Sequence, residues 1–317
     1  MSPAVWQIAG GPASRSYVDV FLRYGVGLIG PGDGGPWSPE RYAHDFVVSG
    51  FLRRFAEEAS DGDIVLLRTG RSRVEAVGII AGEYRHLEVF GDVNGWDLQH
   101  ARRVRWSRLA APHDFDRFVF GANPTRFSRV RSPEALDFAR RFVASPPFGW
   151  QEIPLPSLPP EAPTLESPPP EIATLVAQAR DLAGLYWDRA RFGDHPSEDE
   201  LVAQFTVPLL AALGWRPEQI GVKWRRIDVA LFDRLPRAPE HCRFVIEAKR
   251  FGAGVEGALE QAMGYVAELG RSVDVVVTDG IRYRLYAAHD GYEPVAYANL
   301  IRLKASATEL FDRLRRP

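Results

Sequence analysis

A single cysteine, Cys242, stands among 317 residues, which excludes an internal disulfide and a cysteine-rich zinc site. Lysine is almost as scarce: Lys223, Lys249 and Lys304 are the only three, and arginine supplies the other basic residues. No stretch approaches the roughly 18 uninterrupted apolar residues of a spanning helix. The opening MSPAVWQIAGG has neither a basic n-region nor a long apolar h-region. These absences lead to the expectation of a cytoplasmic protein with no membrane partner. There is no glycine-rich loop ending in Gly-Lys-Ser/Thr, so no nucleotide cofactor is expected and any translocation would come from another chain. Net charge is −2, which removes an overall basic signature and leaves only local patches to meet nucleic acid. Internal repeats and heptad runs are missing as well.

What is present is enough chain for two cores, with ordinary hydrophobic (45%) and charged (25%) fractions. Ten prolines fall in the 26 residues from 145 to 170. Such a segment forms neither helix nor central strand and reads as a semi-rigid linker. The expected domains are therefore 1–144 and 171–317, joined by 145–170.

In the first domain, 4–10 reads as a strand, 16–24 as a short amphipathic helix and 25–30 as a second strand. The loop PGDGGPW, 31–37, leaves Trp37 on an irregular segment. Residues 41–58 have helical apolar spacing at Phe46, Val47, Phe51 and Phe55. Strands 62–70 and 73–84 follow, joined by a turn at 69–72, and then a strand over 100–109 carrying Arg102, Arg103, Arg105 and Arg108. Short strands with interspersed helices predict a small, strongly curved sheet or barrel with helices, in a protein of α+β or α/β class overall.

In the second domain a helical pattern runs from 171 to 192. Ser197 is the expected N-cap of the next helix, which carries Leu201, Val202, Phe205, Leu209 and Leu213 and ends at Gly214. Glu198 lies three and seven residues before Leu201 and Phe205 and so shares their face, which makes it a better site candidate than Glu200. Strands are expected at 225–232 and over the run ending in Glu247, with a helix at 257–270. A hairpin across Asp279-Gly280, a last strand and a terminal helix over 305–315 follow, giving a mixed sheet flanked by helices.

The chemistry concentrates at CRFVIEAKRFG, 242–252. A core strand ends there with Glu247 and Lys249, which period-two geometry puts on one face. Two charges at the end of a buried strand carry a desolvation cost that marks a candidate site. With Asp228 on a neighbouring strand, two hard carboxylates could hold one or two Mg²⁺ ions, with Mn²⁺ as a possible substitute, and the ammonium could orient or deprotonate a water for phosphodiester hydrolysis. Ala248 offers only its backbone carbonyl to a metal. Gln261 and Tyr265 lie one turn apart on a helix face. Lys223, Arg225 and Arg226, beside Trp224, form either a DNA-contacting edge or a solvated strand end.

The order Glu198, Asp228, Glu247-x-Lys249, Gln261-x-x-x-Tyr265 resembles the PD-(D/E)XK nucleases, in particular the nuclease domains of type I restriction motor subunits and related modification-dependent restriction enzymes. SEDELVAQFTVPLLAALGW is similar to the opening helix of that group and VVVTDGIRYRLY to its later strand, so the resemblance spans about 195–290. It implies Asp228 and Glu247 as metal ligands, Lys249 beside the nucleophile, Glu198 completing the acidic cluster, and Gln261 with Tyr265 supporting the site or touching DNA. One departure is Ile227, where that pattern has a proline before the Asp.

The strands 62–70 and 73–84, followed by His100, Arg102, Val104 and Trp106 at alternating positions, resemble the PUA-like group that includes EVE and YTH domains. That resemblance covers about 4–110 and implies a small barrel holding a flipped, modified base between aromatic walls. Trp37, Trp96, Asp97 and Tyr17 are the candidate pocket residues. Trp6 and Trp106 are expected in the core and His100 as a structural hydrogen-bonder. Arg102 and Arg105 are candidate phosphate contacts. Together the resemblances imply a modification-dependent, type IV-like restriction endonuclease acting on DNA with altered bases, dimeric at least on DNA. A non-catalytic nucleic-acid-binding module, and a repair or RNA-directed nuclease, are the alternatives.

Overall fold

The structure is a computed structural model that describes residues 3–11, 16–43, 45–93, 96–145, 154–186, 196–251, 255 and 257–317. It divides into two units, residues 1–93 with 97–160, and 94–96 with 161–317. The division falls inside the proline-rich segment, of which 146–153 lie outside the described residues. Both units mix helix and sheet, giving an α+β protein with two mixed sheets. Among the described residues no helix is long and apolar enough to cross a membrane.

The first unit is a seven-stranded sheet curled into a half-barrel. Its strands are β1 (Val5–Ala9), β2 (Val26–Ile29), β3 (Ile64–Thr69), β4 (Arg73–Ile80), β5 (Arg85–His86), β6 (His100–Asp114) and β7 (Phe127–Arg129). The order is β2-β6-β4-β3-β1-β7, with β5 also on β6. β1 runs parallel to β3 and the other pairings are antiparallel. Curling follows from β6, whose first residues pair with β2 and β5 and whose remainder pairs with β4 through a register shift at Val74/Ala76. A bulge of this kind bends a strand and raises its twist.

β6 reaches five residues beyond its predicted end, while β7 and the helix Pro133–Ala144 have no counterpart in the sequence reading. The helix expected over 41–58 begins at Phe46, because the Asp45 side chain accepts from the Val47 and Val48 amides and caps it there. Phe46 and Val47 consequently face solvent, 91% and 61% exposed, instead of joining the core. Trp6 is buried as expected, its indole N–H donating to Asp63 Oδ2 at 2.8 Å. Trp106 is half-buried and donates to the Val26 carbonyl at 2.8 Å.

The second unit is a six-stranded sheet of order β13-β12-β11-β10-β9-β8. Its strands are β8 (Ile220–Trp224), β9 (Ile227–Phe232), β10 (Cys242–Ala248), β11 (Asp274–Thr278), β12 (Arg282–Ala287) and β13 (Glu293–Asn299). β10 and β11 are parallel and joined through the helix Ala258–Leu269, whereas the other pairings are antiparallel. Alternation along β10 divides the core in two. Phe244, Ile246 and Ala248 pack with the helices before the sheet and at the chain's end, and Val245 packs under the helix Ala258–Leu269. Of the helix predicted over 171–192, Ala173–Tyr186 is present and 187–192 lie outside the described residues.

β8 corrects the reading of this unit. Residues 225 and 226 are not strand but the two-residue turn of a β8–β9 hairpin, both at positive φ (50° and 70°). Asn-Gly or Asp-Gly normally marks such a turn, and Arg-Arg carries no such signal.

Candidate functional site

Glu247 and Lys249 fall at the end of β10, where alternation turns both toward the side of the sheet covered by the helix Ala258–Leu269. The antiparallel register that pairs Ile246 with Val229 carries Asp228 opposite Glu247. The three residues singled out in the sequence therefore meet at one point of the sheet.

Their bonds are specific. Asp228 is buried; its Oδ2 accepts from the Ala248 amide at 2.8 Å and its Oδ1 from Lys223 Nζ at 2.7 Å. Lys223 Nζ also reaches Asp199 Oδ1 at 2.9 Å, and these two carboxylates hold its ammonium above the usual lysine range. Lys249 Nζ donates to Glu247 Oε1 and to Gln261 Oε1, both at 2.8 Å, and Gln261 Nε2 donates to Tyr265 Oη at 3.0 Å. Glu198, exposed and not on the inward face predicted for it, accepts from the Arg250 amide at 3.1 Å through Oε1. Ser197 is the N-cap as expected, and Glu200 closes the capping box with it.

Glu247 is only 1% exposed and its Oε2 is buried with no hydrogen-bond partner. Burial pushes its carboxyl up to about 7; Lys249 opposes the rise, and Asp228 and Glu198 add to it. An orphaned carboxylate oxygen beside a second buried carboxylate is the donor chemistry a hard cation takes. Among the described residues no three of His, Cys, Asp and Glu come together as a ready-made metal cage. The donors on offer are two carboxylates and the Ala248 carbonyl, and an oxygen-seeking ion such as Mg²⁺ fits them.

Lys223 is the residue whose role sequence reasoning missed. It sits at φ 51°, opposite Asp228, between the Val222–Val229 and Trp224–Ile227 pairs. The kink swings its ammonium onto the site, whereas the sequence left it on either a DNA-contacting edge or a solvated strand end. Arg226 is ion-paired to Glu268 at 2.8 Å, and Arg225 lies 4.8 Å over the Trp224 ring.

The candidate base-pocket residues, Trp37, Asp97 and Tyr17 of the first unit and Trp96 of the second, are distributed differently. Residues 31–35 are buried, pressed against the segment before β6. A Cβ at Gly30 would stand 2.1 Å from the Asp97 carbonyl oxygen and one at Gly32 2.3 Å from Gln99 Oε1, so only glycine permits this approach. Trp37 is half-buried, stacked on Tyr42 at 5.8 Å, with its indole N–H donating to Glu57 at 2.7 Å. Asp97 is buried and Trp96 half-buried. Tyr17 belongs to another aromatic row, 5.3 Å from Phe21, which in turn lies 6.5 Å from Trp106.

His100 joins Tyr84 at 2.7 Å, Tyr42 at 3.1 Å and the Pro31 carbonyl at 2.8 Å, and burial lowers its pKa to about 3. It is a neutral structural hydrogen-bonder. Arg102, a candidate phosphate contact, is instead buried with its guanidinium on the carbonyls of Phe55, Ala56 and Gly82 at 2.6 to 3.0 Å. Its place on a buried strand leaves it no access to phosphate. Arg105 is half-buried.

A family profile described as a domain of unknown function (DUF8426) matches residues 40–129. No curated protein matches the sequence.

Proposed function

We propose that this protein is a metal-dependent nuclease of the PD-(D/E)XK type that cuts DNA carrying modified bases. The observation that supports the reading best is the orphaned, buried Oε2 of Glu247 beside Asp228, with Lys249, Gln261 and Tyr265 bonded in series behind it. Asp228, Glu247 and the Ala248 carbonyl would hold Mg²⁺, which when bound lowers the pKa of a water and offsets charge developing on phosphate. Lys249 has three N–H donors, of which Glu247 and Gln261 take two. The third is free to orient the attacking water or to meet a phosphate oxygen. Tyr265, through Gln261, fixes the ammonium in place. Glu198 adds negative charge at the rim, and Arg225 at the hairpin tip offers a guanidinium to the strand being cut.

The curled sheet of the first unit supports the PUA-like reading, with Trp37 and Asp97 as the reader's residues. The test is cleavage, with Mg²⁺, of matched DNAs bearing cytosine, 5-methylcytosine or 5-hydroxymethylcytosine. Cutting of a modified substrate, abolished by chelation, is the expected result; Trp37→Ala should lower the preference for it roughly tenfold, within the 1–3 kcal/mol typical of base stacking. Equal cutting of every substrate would remove the reader. Binding without cutting of any of them would sink the nuclease and favour a non-catalytic module.

Lys223 must leave Asp228 before a cation can take that oxygen. Lys223→Gln should therefore tighten Mn²⁺ binding, measured by calorimetry, by about two- to fivefold, since a half-exposed ion pair contributes at most about 1 kcal/mol. Weaker binding in the variant would mean that Lys223 supports the ion instead of competing with it.

A further inference from the structure

The segment from Arg117 to Ser132 contains four arginines and no Asp or Glu. It borders a cleft of about 600 Å³ in the first unit, distinct from the Trp37 loop and from the Asp228–Glu247 site. Arg117, Arg129 and Arg131 line it from this segment and Arg54 from the end of the α-helix at 46–53; its lining includes no carboxylate. Arg117 is ion-paired with Glu134 at 2.9 Å, whereas Arg54, Arg129 and Arg131 meet no carboxylate among the described residues. Three uncompensated guanidinium groups around one concavity focus a positive potential there. That each is arginine suits an anion with paired oxygens, because the planar fork donates two parallel hydrogen bonds.

The lining also includes an aromatic that the core does not use. Phe118 is 59% exposed, and its ring carries the Arg71 guanidinium 4.6 Å from the centroid. The wall is fixed in advance. Buried Arg68 donates to Gln7 Oε1 and, at 2.9 Å, to the Thr125 carbonyl, and Gln7 Nε2 donates to Thr125 O at 2.8 Å and to Ser128 Oγ at 2.7 Å. These bonds brace the loop between Phe120 and Phe127, so a ligand meets a preformed surface and its binding bears little ordering cost.

We propose that this cleft binds the backbone of single-stranded nucleic acid, its arginines on phosphates and Phe118 stacked beneath a base. A basic groove with an aromatic platform is the combination that holds single strands without reading sequence. An acidic peptide would satisfy the arginines but would leave Phe118 without its stacking partner.

The test is fluorescence anisotropy of a labelled oligo(dT) and a labelled oligo(rU) on the full chain in EDTA, where no cleavage intervenes. The result is therefore independent of whether the protein proves to be a nuclease. Arg54→Ala/Arg129→Ala/Arg131→Ala should bind at least tenfold more weakly. The slope of log K against log salt should fall by about 2, as expected for three lost phosphate contacts at about 0.7 each. Phe118→Ala should cost at least about fivefold with the salt slope unchanged, since stacking is not ionic. A charge-matched control, Arg23→Ala/Arg140→Ala/Arg141→Ala, removes three exposed cations elsewhere and should keep wild-type affinity. Equal losses in both triple variants, or competition by polyglutamate as strong as by unlabelled oligonucleotide, would overturn the assignment. Near-UV circular dichroism of each variant distinguishes lost binding from lost fold.

Discussion

Lys249→Ala should slow Mg²⁺-supported DNA cleavage by about 10³-fold while leaving affinity for DNA within about twofold; a positioned proton-transfer or water-orienting group typically contributes 10²–10⁴. The ammonium is held by Glu247 Oε1 and Gln261 Oε1 at 2.8 Å each, so it acts on the reacting centre and contributes little to the general attraction for phosphate. Arginine should not replace it. A guanidinium is a wide, planar fork, and the space between Glu247 and Gln261 is set for a compact cation. Gln261→Ala leaves Lys249 its Glu247 partner and removes only the brace toward Tyr265, so its loss should be smaller than that of Lys249→Ala. Single-turnover cleavage beside filter binding checks all three. Wild-type cutting by Lys249→Ala would remove the lysine from the chemistry altogether.

Much of this site was legible because local periodicity alone fixes it. A strand alternates with period two, so Glu247 and Lys249 had to share a face wherever β10 lay; a helix returns every 3.6 residues, so Gln261 had to meet Tyr265, and their side chains do bond. The helix cap at Ser197 was written in its own box of side chains. What escaped depended on tertiary context. Nothing local announces that Arg225 and Arg226 turn at positive φ, or that the kink at Lys223 redirects its ammonium from an edge onto Asp228. Arg102 carries the same charge as its neighbours on β6, yet the curl of the sheet buries it among carbonyls, and that curl comes from register shifts made many residues away. The four arginines of the 117–132 segment did leave a trace, a charge imbalance over sixteen positions, but only the fold brings three of them around one cleft with Arg54.

Glu247→Gln should abolish the proposed cleavage and, in metal-free buffer above pH 7, make the protein more stable. The native carboxyl is raised to about 7 from its ordinary 4.5, mainly by burial. Between those values the unfolded chain has lost a proton that the native state still holds. Stability therefore falls as pH rises through this window, and the full loss is present above it. The ceiling is about 3 kcal/mol, the free-energy equivalent of moving the carboxyl from 4.5 to about 7. Glutamine keeps the shape, still accepts from Lys249 and carries no charge to desolvate. The variant should melt at the wild-type temperature near pH 4.5 and several degrees higher at pH 8 in EDTA. Mg²⁺ should then reverse the order at pH 8 by stabilising the wild type alone, because a ligand that binds only the native state stabilises it by an amount that grows with the logarithm of its concentration above the dissociation constant. A variant less stable than wild type at pH 8 would mean that the ion pair with Lys249 outweighs burial. Glu247 would then be a structural anion, and its Oε2 would not serve as a cation ligand.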